Sequence, residues 1–297
     1  MTNTHLPMPT LTPAHLDHRR SWRDFDYCYP VISRRSRGLS LGVNLNINQA
    51  CNFNCVYCEV DRLLPPRRKD IDLDQLEDEM KRLLDAVVSG ELFKTHPFNA
   101  IKNERLRLND IAFSGDGEPT TAKEFPESAE RLARLLRHFN LPDVKFVLIT
   151  NATGLQDINV IRGIDALMAN NGQIWAKLDA GTEKYYQTIN RSGVSLEQII
   201  NNLEFAGKRW PIIIQTLFLE WEGQSPSEQE IYSYIDKLKY LLNSGIQLQG
   251  IQLHTVARPT PEIEAKSLPP VIIDRIAKDI AKELSNIPVD VFYGSKA

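Results

Sequence analysis

The stretch CNFNCVYC places Cys51, Cys55 and Cys58 within eight positions of a 297-residue chain that has only four cysteines. Clustered thiols at C-x3-C-x2-C spacing point to a metal, because the thiolate is both a soft ligand and the form that a nearby cation stabilises. A structural zinc needs four closed ligands and usually pairs two C-x2-C knuckles. Cys28 or a histidine would have to complete such a site, and neither lies at ligand spacing. Three thiolates suit a cubane of four irons whose last iron is left open, since such clusters are normally held by four cysteines. An open iron can bind something else. Cys28, between Tyr27 and Tyr29, reads as a small buried apolar residue.

The elements that must position these thiols follow from periodicity. Residues 1–37 carry Pro and Arg with little repeat and read as a lead-in arm, and residues 38–297 read as one unit. GLSLGVNLNI alternates Leu39, Leu41, Val43, Leu45 and Ile47 with Ser40, Gly42, Asn44 and Asn46, a period of two and so a strand. Apolar runs then alternate with helical spacing: DIAFSG, VKFVLIT, QIWAKLDA, PIIIQTLFLE and IQLHTVA between segments such as FPESAERLARLLRHF and SEQEIYSYIDKLKYLL. VDVFYG would be a last short strand. Six βα units in succession predict a parallel sheet with right-handed crossovers. No G-x-G-x-x-G follows the first strand, which argues against a dinucleotide-binding doubly wound sheet. The expected fold is therefore α/β, a partial (β/α)6 TIM-like barrel. Barrels carry their chemistry in the loops at the C-terminal strand ends, and the cysteine loop directly follows the first strand.

Composition narrows the class. A net charge of −3 with 42% hydrophobic and 25% charged residues gives no global basic field for nucleic acid. MTNTHLPMPTLTP lacks the basic and apolar regions of a signal peptide. No apolar run approaches the ~18–20 residues that span a bilayer. Three of four cysteines in one loop do not make a secreted disulfide framework. The expectation is a cytoplasmic protein without membrane partners.

At this point the residues carry a resemblance. CNFNCVYC resembles the C-x3-C-x-aromatic-C signature of radical S-adenosylmethionine (SAM) enzymes, in which the methionine amine and carboxylate chelate the open iron. Asp116-Gly117-Glu118-Pro119 in SGDGEPT is similar to the family's GGEP loop, which holds the methionyl amino group. TNATG, with Asn151, is similar to its TNG turn. KLDAGTEKYYQTINR, with Lys177 and Asp179, resembles the ribose-contacting S/N-L-D-A stretch and its following Asn-Arg turn. These matches lie in order between about residues 38 and 258, at successive expected strand ends. The resemblance implies a [4Fe–4S] cluster on Cys51, Cys55 and Cys58, with SAM as the second cofactor. It places Tyr57 and His254 near the adenine and Gln215 near the SAM carboxylate. It implies reductive cleavage of SAM to a 5′-deoxyadenosyl radical, which abstracts hydrogen from a substrate.

The residues themselves allow this and plainer roles. Gly115 and Gly117 let backbone carbonyls approach a ligand ammonium. Glu118-Pro119 also reads as a helix lead-in. In QIWAKLDA, Trp175, Lys177 and Asp179 share the face expected to look into the lumen, while Ile174, Ala176 and Leu178 face the helices. Asp179 can accept two ribose hydroxyls, or pair internally with Lys177. His254 fits a core histidine as well as a ligand contact, and Tyr57 fits ordinary loop packing.

No cysteine follows Cys58, which removes auxiliary-cluster extensions and weakens a wyosine-forming tRNA role despite SGDGEPT and KLDAG. Small-molecule or nucleoside chemistry, or activation of a glycyl-radical partner, remains, served by an electron donor such as flavodoxin or ferredoxin. The non-catalytic alternative is an iron–sulfur or zinc-binding protein on the same scaffold. Arg34, Arg35 and Arg37 precede the first strand and should sit at the barrel bottom as stabilising groups. Arg67, Arg68 and Lys69 follow the cysteine loop and should lie near the top, facing an anionic substrate or partner.

Overall fold

The computed structural model of this chain describes residues 22–60, 62, 70–101 and 107–294. Its frame is a curled sheet of eight strands. Their order is β1 (Cys28–Ser33), β2 (Gly38–Val43), β3 (Leu108–Phe113), β4 (Lys145–Thr150), β5 (Gly172–Lys177), β6 (Ile212–Leu217), β8 (Leu248–His254) and β10 (Val289–Phe292). The short strands β7 (Leu219–Trp221) and β9 (Ala265–Ser267) form a separate antiparallel pair. Every neighbouring pair from β2 to β10 is parallel, and only β1 runs against its neighbour. This is the expected partial barrel.

The helices are α1 (Leu73–Val88), α2 (Phe125–His138), α3 (Ile158–Met168), α4 (Glu183–Ile189), α5 (Leu196–Arg209), α6 (Glu228–Asn243) and α7 (Pro270–Glu283). Several begin where an oxygen-bearing side chain meets the free N–H groups of the first turn. Asp72 accepts from the amides of Asp74 and Gln75 at 3.0 Å each, and Asp157, Ser195 and Ser227 do the same for α3, α5 and α6. In α1, Leu76, Met80, Leu83 and Leu84 recur on one face and are fully buried against the sheet. The strand faces divide as the alternation in QIWAKLDA requires. Ile174, Ala176 and Leu178 join the core under the helices, whereas Trp175 packs inside the barrel with Ala112 and Val147.

Two local features depart from the expectation. The segment read as an arm contains β1, whose residues Cys28 to Ile32 are all buried. Burial on both faces erases the period-two signal, so the strand is invisible to patterning. The tail of the QTINR segment is preceded by the short helix α4, opened by Thr182, whose hydroxyl accepts from the Tyr185 amide.

The sheet's two edges meet through side chains. Arg34, in the turn after β1, donates to the Tyr293 carbonyl at 2.6 Å, and Arg37 pairs with Asp290 of β10 at 3.4 Å. On α1, Glu79 is 2% exposed and accepts from the backbone amides of Asp26, Tyr27 and Cys28, which fastens the start of β1 to the body. No helix among the described residues is long and apolar enough to cross a membrane.

Candidate active site

The cysteine loop leaves β2 and is hooked to the C-terminal end of α4 by main-chain bonds, Asn54 and Val56 donating to the carbonyls of Asn190 and Ile189 at 3.0 and 2.9 Å. A turn from the Cys58 amide to the Cys55 carbonyl (3.0 Å) gathers the last two thiols. Cys51, Cys55 and Cys58 are free, half-buried, and open onto one cavity of about 280 Å³. Burial pushes the Cys51 thiol up, and that of Cys55 up to about 11. Cys28 lies apart: it is 1% exposed and its thiol donates to the Leu76 carbonyl at 3.7 Å, as a small core residue does.

The loop after β3 forms the opposite wall. Asn44 holds Asp116 twice, donating to its carboxylate at 2.6 Å and accepting from its amide at 3.1 Å. Gly117 passes so close to the cysteine loop that a Cβ there would lie 2.0 Å from the Ala50 carbonyl oxygen, the same oxygen that accepts from the Glu118 amide at 3.1 Å. Glu118, 3% exposed, caps the short 3-10 turn Pro119–Thr121 and ties two loops together. One of its oxygens accepts from the Thr120 amide (3.2 Å) and from the hydroxyls of Thr120 and Thr150 (2.7 Å each); the other accepts from the Asn151 amide at 2.6 Å. Burial pushes this carboxyl up, against the pull of those four donors. The Asn151 side chain in turn donates to Asn52 of the cysteine loop at 2.6 Å.

Beyond β5 the polar face is a single network. Asp179, 2% exposed, accepts from the Tyr57 hydroxyl and from Asn190 Nδ2 (2.8 Å) on one oxygen, and from the Leu217 amide (2.8 Å) on the other. The Asn190 amide also reaches the Tyr57 oxygen at 3.2 Å and Cys55 Sγ at 3.5 Å. Lys177 Nζ donates to the Tyr57 hydroxyl (3.1 Å), lies 3.8 Å from Asp179 and sits 4.9 Å above the Tyr57 ring. Burial alone would lower Lys177, but Asp179 and the thiols of Cys55 and Cys58 outweigh it and leave it raised. Burial, then Asp179, raises the Tyr57 phenol well above its usual range.

The site residues expected from sequence therefore fall into two adjoining spaces. Asp116, Gly117, Glu118 and Asn151 line the cavity of the cysteines. Asp179, Gln215 and His254 line a second one, of about 300 Å³, inside the barrel. Tyr57 and Lys177 belong to the wall of both. Gln215 donates to Gln252 at 2.7 Å, and His254 stacks on Phe292 with ring centroids 4.8 Å apart. The His254 Nε2 is buried without a hydrogen-bond partner. Burial and the charges of Arg35, Arg34 and Lys177 push this imidazole well down, so it is neutral.

One expectation is corrected. Arg34 and Arg35 do sit in the turn at the barrel bottom, but their side chains line the luminal cavity; Arg35 donates to Gln215 at 3.3 Å and stacks 5.6 Å from the Trp175 ring centre. Asp110, Arg258 and Tyr29 also line this cavity and went unread. Asp110 carried a signal, since it shares the period-two face of Ala112 and Ser114 in DIAFSG. Arg67, Arg68 and Lys69 lie outside the described residues.

The fold and site together define an α/β partial barrel with a rim of three thiols at the C-terminal ends of its strands. The Radical SAM superfamily matches residues 45–235. The chain is similar to the UPF0026 protein slr1464 of Synechocystis sp., with 27% identity over 246 residues, 80% of this chain and 78% of that protein. It is also similar to the UPF0026 protein MJ1312 of Methanocaldococcus jannaschii, with 30% identity over 162 residues, 54% of this chain and 43% of that one. Two solved structures share the fold. SuiB of Streptococcus suis, bound to S-adenosylmethionine, aligns with a TM-score of 0.54 at 13% identity over 87% of this chain and 52% of its own. TYW1 with a lysine–pyruvate adduct aligns with a TM-score of 0.51 at 18% identity, covering 83% and 74%. The chain thus spans less than half of the M. jannaschii relative and about half of SuiB. The chain belongs to the radical SAM superfamily.

Members of that superfamily bind a [4Fe–4S] cluster and SAM, and the residues here fit both. Three free thiols face one cavity, yet no group of three His, Cys, Asp or Glu among the described residues is drawn close enough to hold a single metal ion. Each thiolate of a cluster holds its own iron, so three thiols on one cavity suit it. The adjoining network adds the Asp179 carboxylate and the ring of Tyr57.

Proposed function

We propose that this enzyme reductively cleaves SAM and passes the resulting radical to a small-molecule or nucleoside substrate held in the barrel. Cys51, Cys55 and Cys58 would hold the cluster, which when bound would supply the one-electron reducing chemistry that cleaves the carbon–sulfur bond of SAM. Each other part belongs to the chain. The loop at Gly115 to Gly117 offers backbone carbonyls to the methionyl ammonium. Asp179, positioned by Asn190 and the Leu217 amide, accepts hydroxyls of the ribose, and Tyr57 presents its ring face. Glu118 and Asn151 keep the loops after β3 and β4 locked to the cysteine loop, so the rim is preorganised. A small iron–sulfur or flavin protein is the electron donor.

The observation that supports this reading most is the junction of the two cavities, where Tyr57 and Lys177 stand between the thiols and the lumen. The test is anaerobic reconstitution with iron and sulfide, followed by reduction in the presence of SAM. Broad visible absorption and slow formation of 5′-deoxyadenosine are expected. A protein that carries a full cluster and binds no SAM would sink the proposal.

A further inference from the structure

The luminal cavity holds more positive charge than its acids neutralise. Four cations line it: Arg34, Arg35, Lys177 and Arg258. Two are already paired. Glu59 accepts from Arg258 at 2.6 and 2.8 Å, and Asp179 lies 3.8 Å from Lys177. Arg34 and Arg35 are bonded only to neutral oxygens, the Tyr293 carbonyl and the Gln215 amide, and no carboxylate among the described residues lies within 4.0 Å of either. The remaining acid, Asp110, is 1% exposed and takes its hydrogen bond from Ser40. Burial, then the charges of Arg258 and Arg35, lowers Arg34 to about 10, while Arg35 is lowered by burial and supported in part by Asp110. Like charges held side by side out of water are costly unless an anion joins them. A guanidinium has five N–H donors, and each of these uses one, which leaves the fork that grips an oxoanion in two-point fashion.

We propose that Arg34 and Arg35 form a subsite for the anionic end of the substrate, a carboxylate or a phosphate, resting on the reading of this cavity as the substrate chamber. Arg34 lies outside the cysteine-lined cavity. Gln215 and His254 share the luminal cavity with it and are likewise absent from the cysteine-lined one, whereas Arg258 lines both. Arg35 reaches into both spaces and links them. Its guanidinium lies over the Trp175 ring, 5.6 Å from the centroid. The unpartnered His254 Nε2 is left for a hydroxyl of the same molecule. An anion held by this pair would orient the rest of the substrate within the chamber.

The experiment uses the reconstituted full chain and two probes, inorganic phosphate and succinate, titrated by calorimetry at low ionic strength. Saturable binding of at least one is expected, and the tighter probe identifies the anion as phosphate or carboxylate. Arg34→Gln and Arg35→Gln should each weaken it about tenfold, the scale of one charge-assisted bond, while cluster absorption and SAM affinity stay within about twofold. Arg35→Lys, which keeps the charge and loses the fork, should fall between. In the wild type the probes should protect Arg34 and Arg35 from phenylglyoxal, read by peptide mass spectrometry; this arm needs no variant to fold. Absence of binding and of protection overturns the proposal, as does unchanged probe affinity in Arg34→Gln. Parallel loss of SAM affinity also overturns it, because the arginines would then hold the SAM carboxylate. Anion binding is measured without SAM cleavage, so a failure of the radical chemistry leaves its own separate mark.

Discussion

Glu118 is the buried knot between the loops that build the rim, and Glu118→Gln measures its worth. Its carboxylate meets four donors, of which two, the amides of Thr120 and Asn151, are backbone groups fixed in direction and engaged by different oxygens. A glutamine has one oxygen, so in either orientation its NH2 faces one of these N–H groups. That leaves one buried amide unpaired, costing about 1–3 kcal/mol, and removes the charge assistance of the others. The hydroxyls of Thr120 and Thr150 can turn and accept, which limits the damage. The expected loss is about 3 kcal/mol, or roughly 6 °C in Tm at about 2 °C per kcal/mol for a chain of this size. Urea unfolding of the cluster-free, reduced protein followed by circular dichroism gives the free energy directly. Thr150→Val, which removes one rotatable donor, should cost only about 1 kcal/mol. A Glu118→Gln protein within 0.5 kcal/mol of wild type would refute the claim that this carboxylate holds the rim together.

Serine substitution of Cys51, Cys55 or Cys58 should each abolish the anaerobic brown absorption, and Cys28→Ala should leave it intact; loss in Cys28→Ala alone would mean that the ligand set is wrong. Asp179→Asn keeps an oxygen for the Leu217 amide but weakens acceptance from ligand hydroxyls, so SAM affinity should drop about tenfold with the cluster retained, measured by equilibrium dialysis. Gly117→Ala would drive a methyl group into the Ala50 carbonyl and push the two rim loops apart. Its cluster loading, read as iron and sulfide per chain, should fall by more than half, whereas Gly193→Ala, which meets nothing, should load normally.

The parallel strands and the long helices were legible because each has a face that repeats every two or every 3.6 residues. β1 was not, since both its faces are buried and CYPVIS shows no alternation. The thiols, Asp116 to Glu118 and Asp179 were legible through short motifs, each local in the chain. What they do to one another was not. The bond from Asn190 to Asp179 spans a helix, and the carboxylate of Glu118 serves a loop more than thirty residues away. Arg35 shows the limit most clearly. Its place just before the expected first strand suggested a stabilising group at the barrel bottom, yet its partner Gln215 lies 180 residues away on β6. The direction of a long flexible side chain is set by curvature of the whole sheet, and no window of sequence contains that curvature.

The seam between the sheet edges also sets how the barrel can change girth. In a barrel closed by backbone ladders, circumference alters only by whole strand spacings of about 4.8 Å, and the bore is set by strand number and shear. Here β1 and β10 come together through two guanidiniums, Arg34 on the Tyr293 carbonyl and Arg37 on Asp290. A clasp of this kind could stretch or swivel without any slip of register, so the bore would not be tied to that step. A guest that drew Arg34 inward would loosen the clasp on Tyr293, and the degree of filling would then tune the width of its own container.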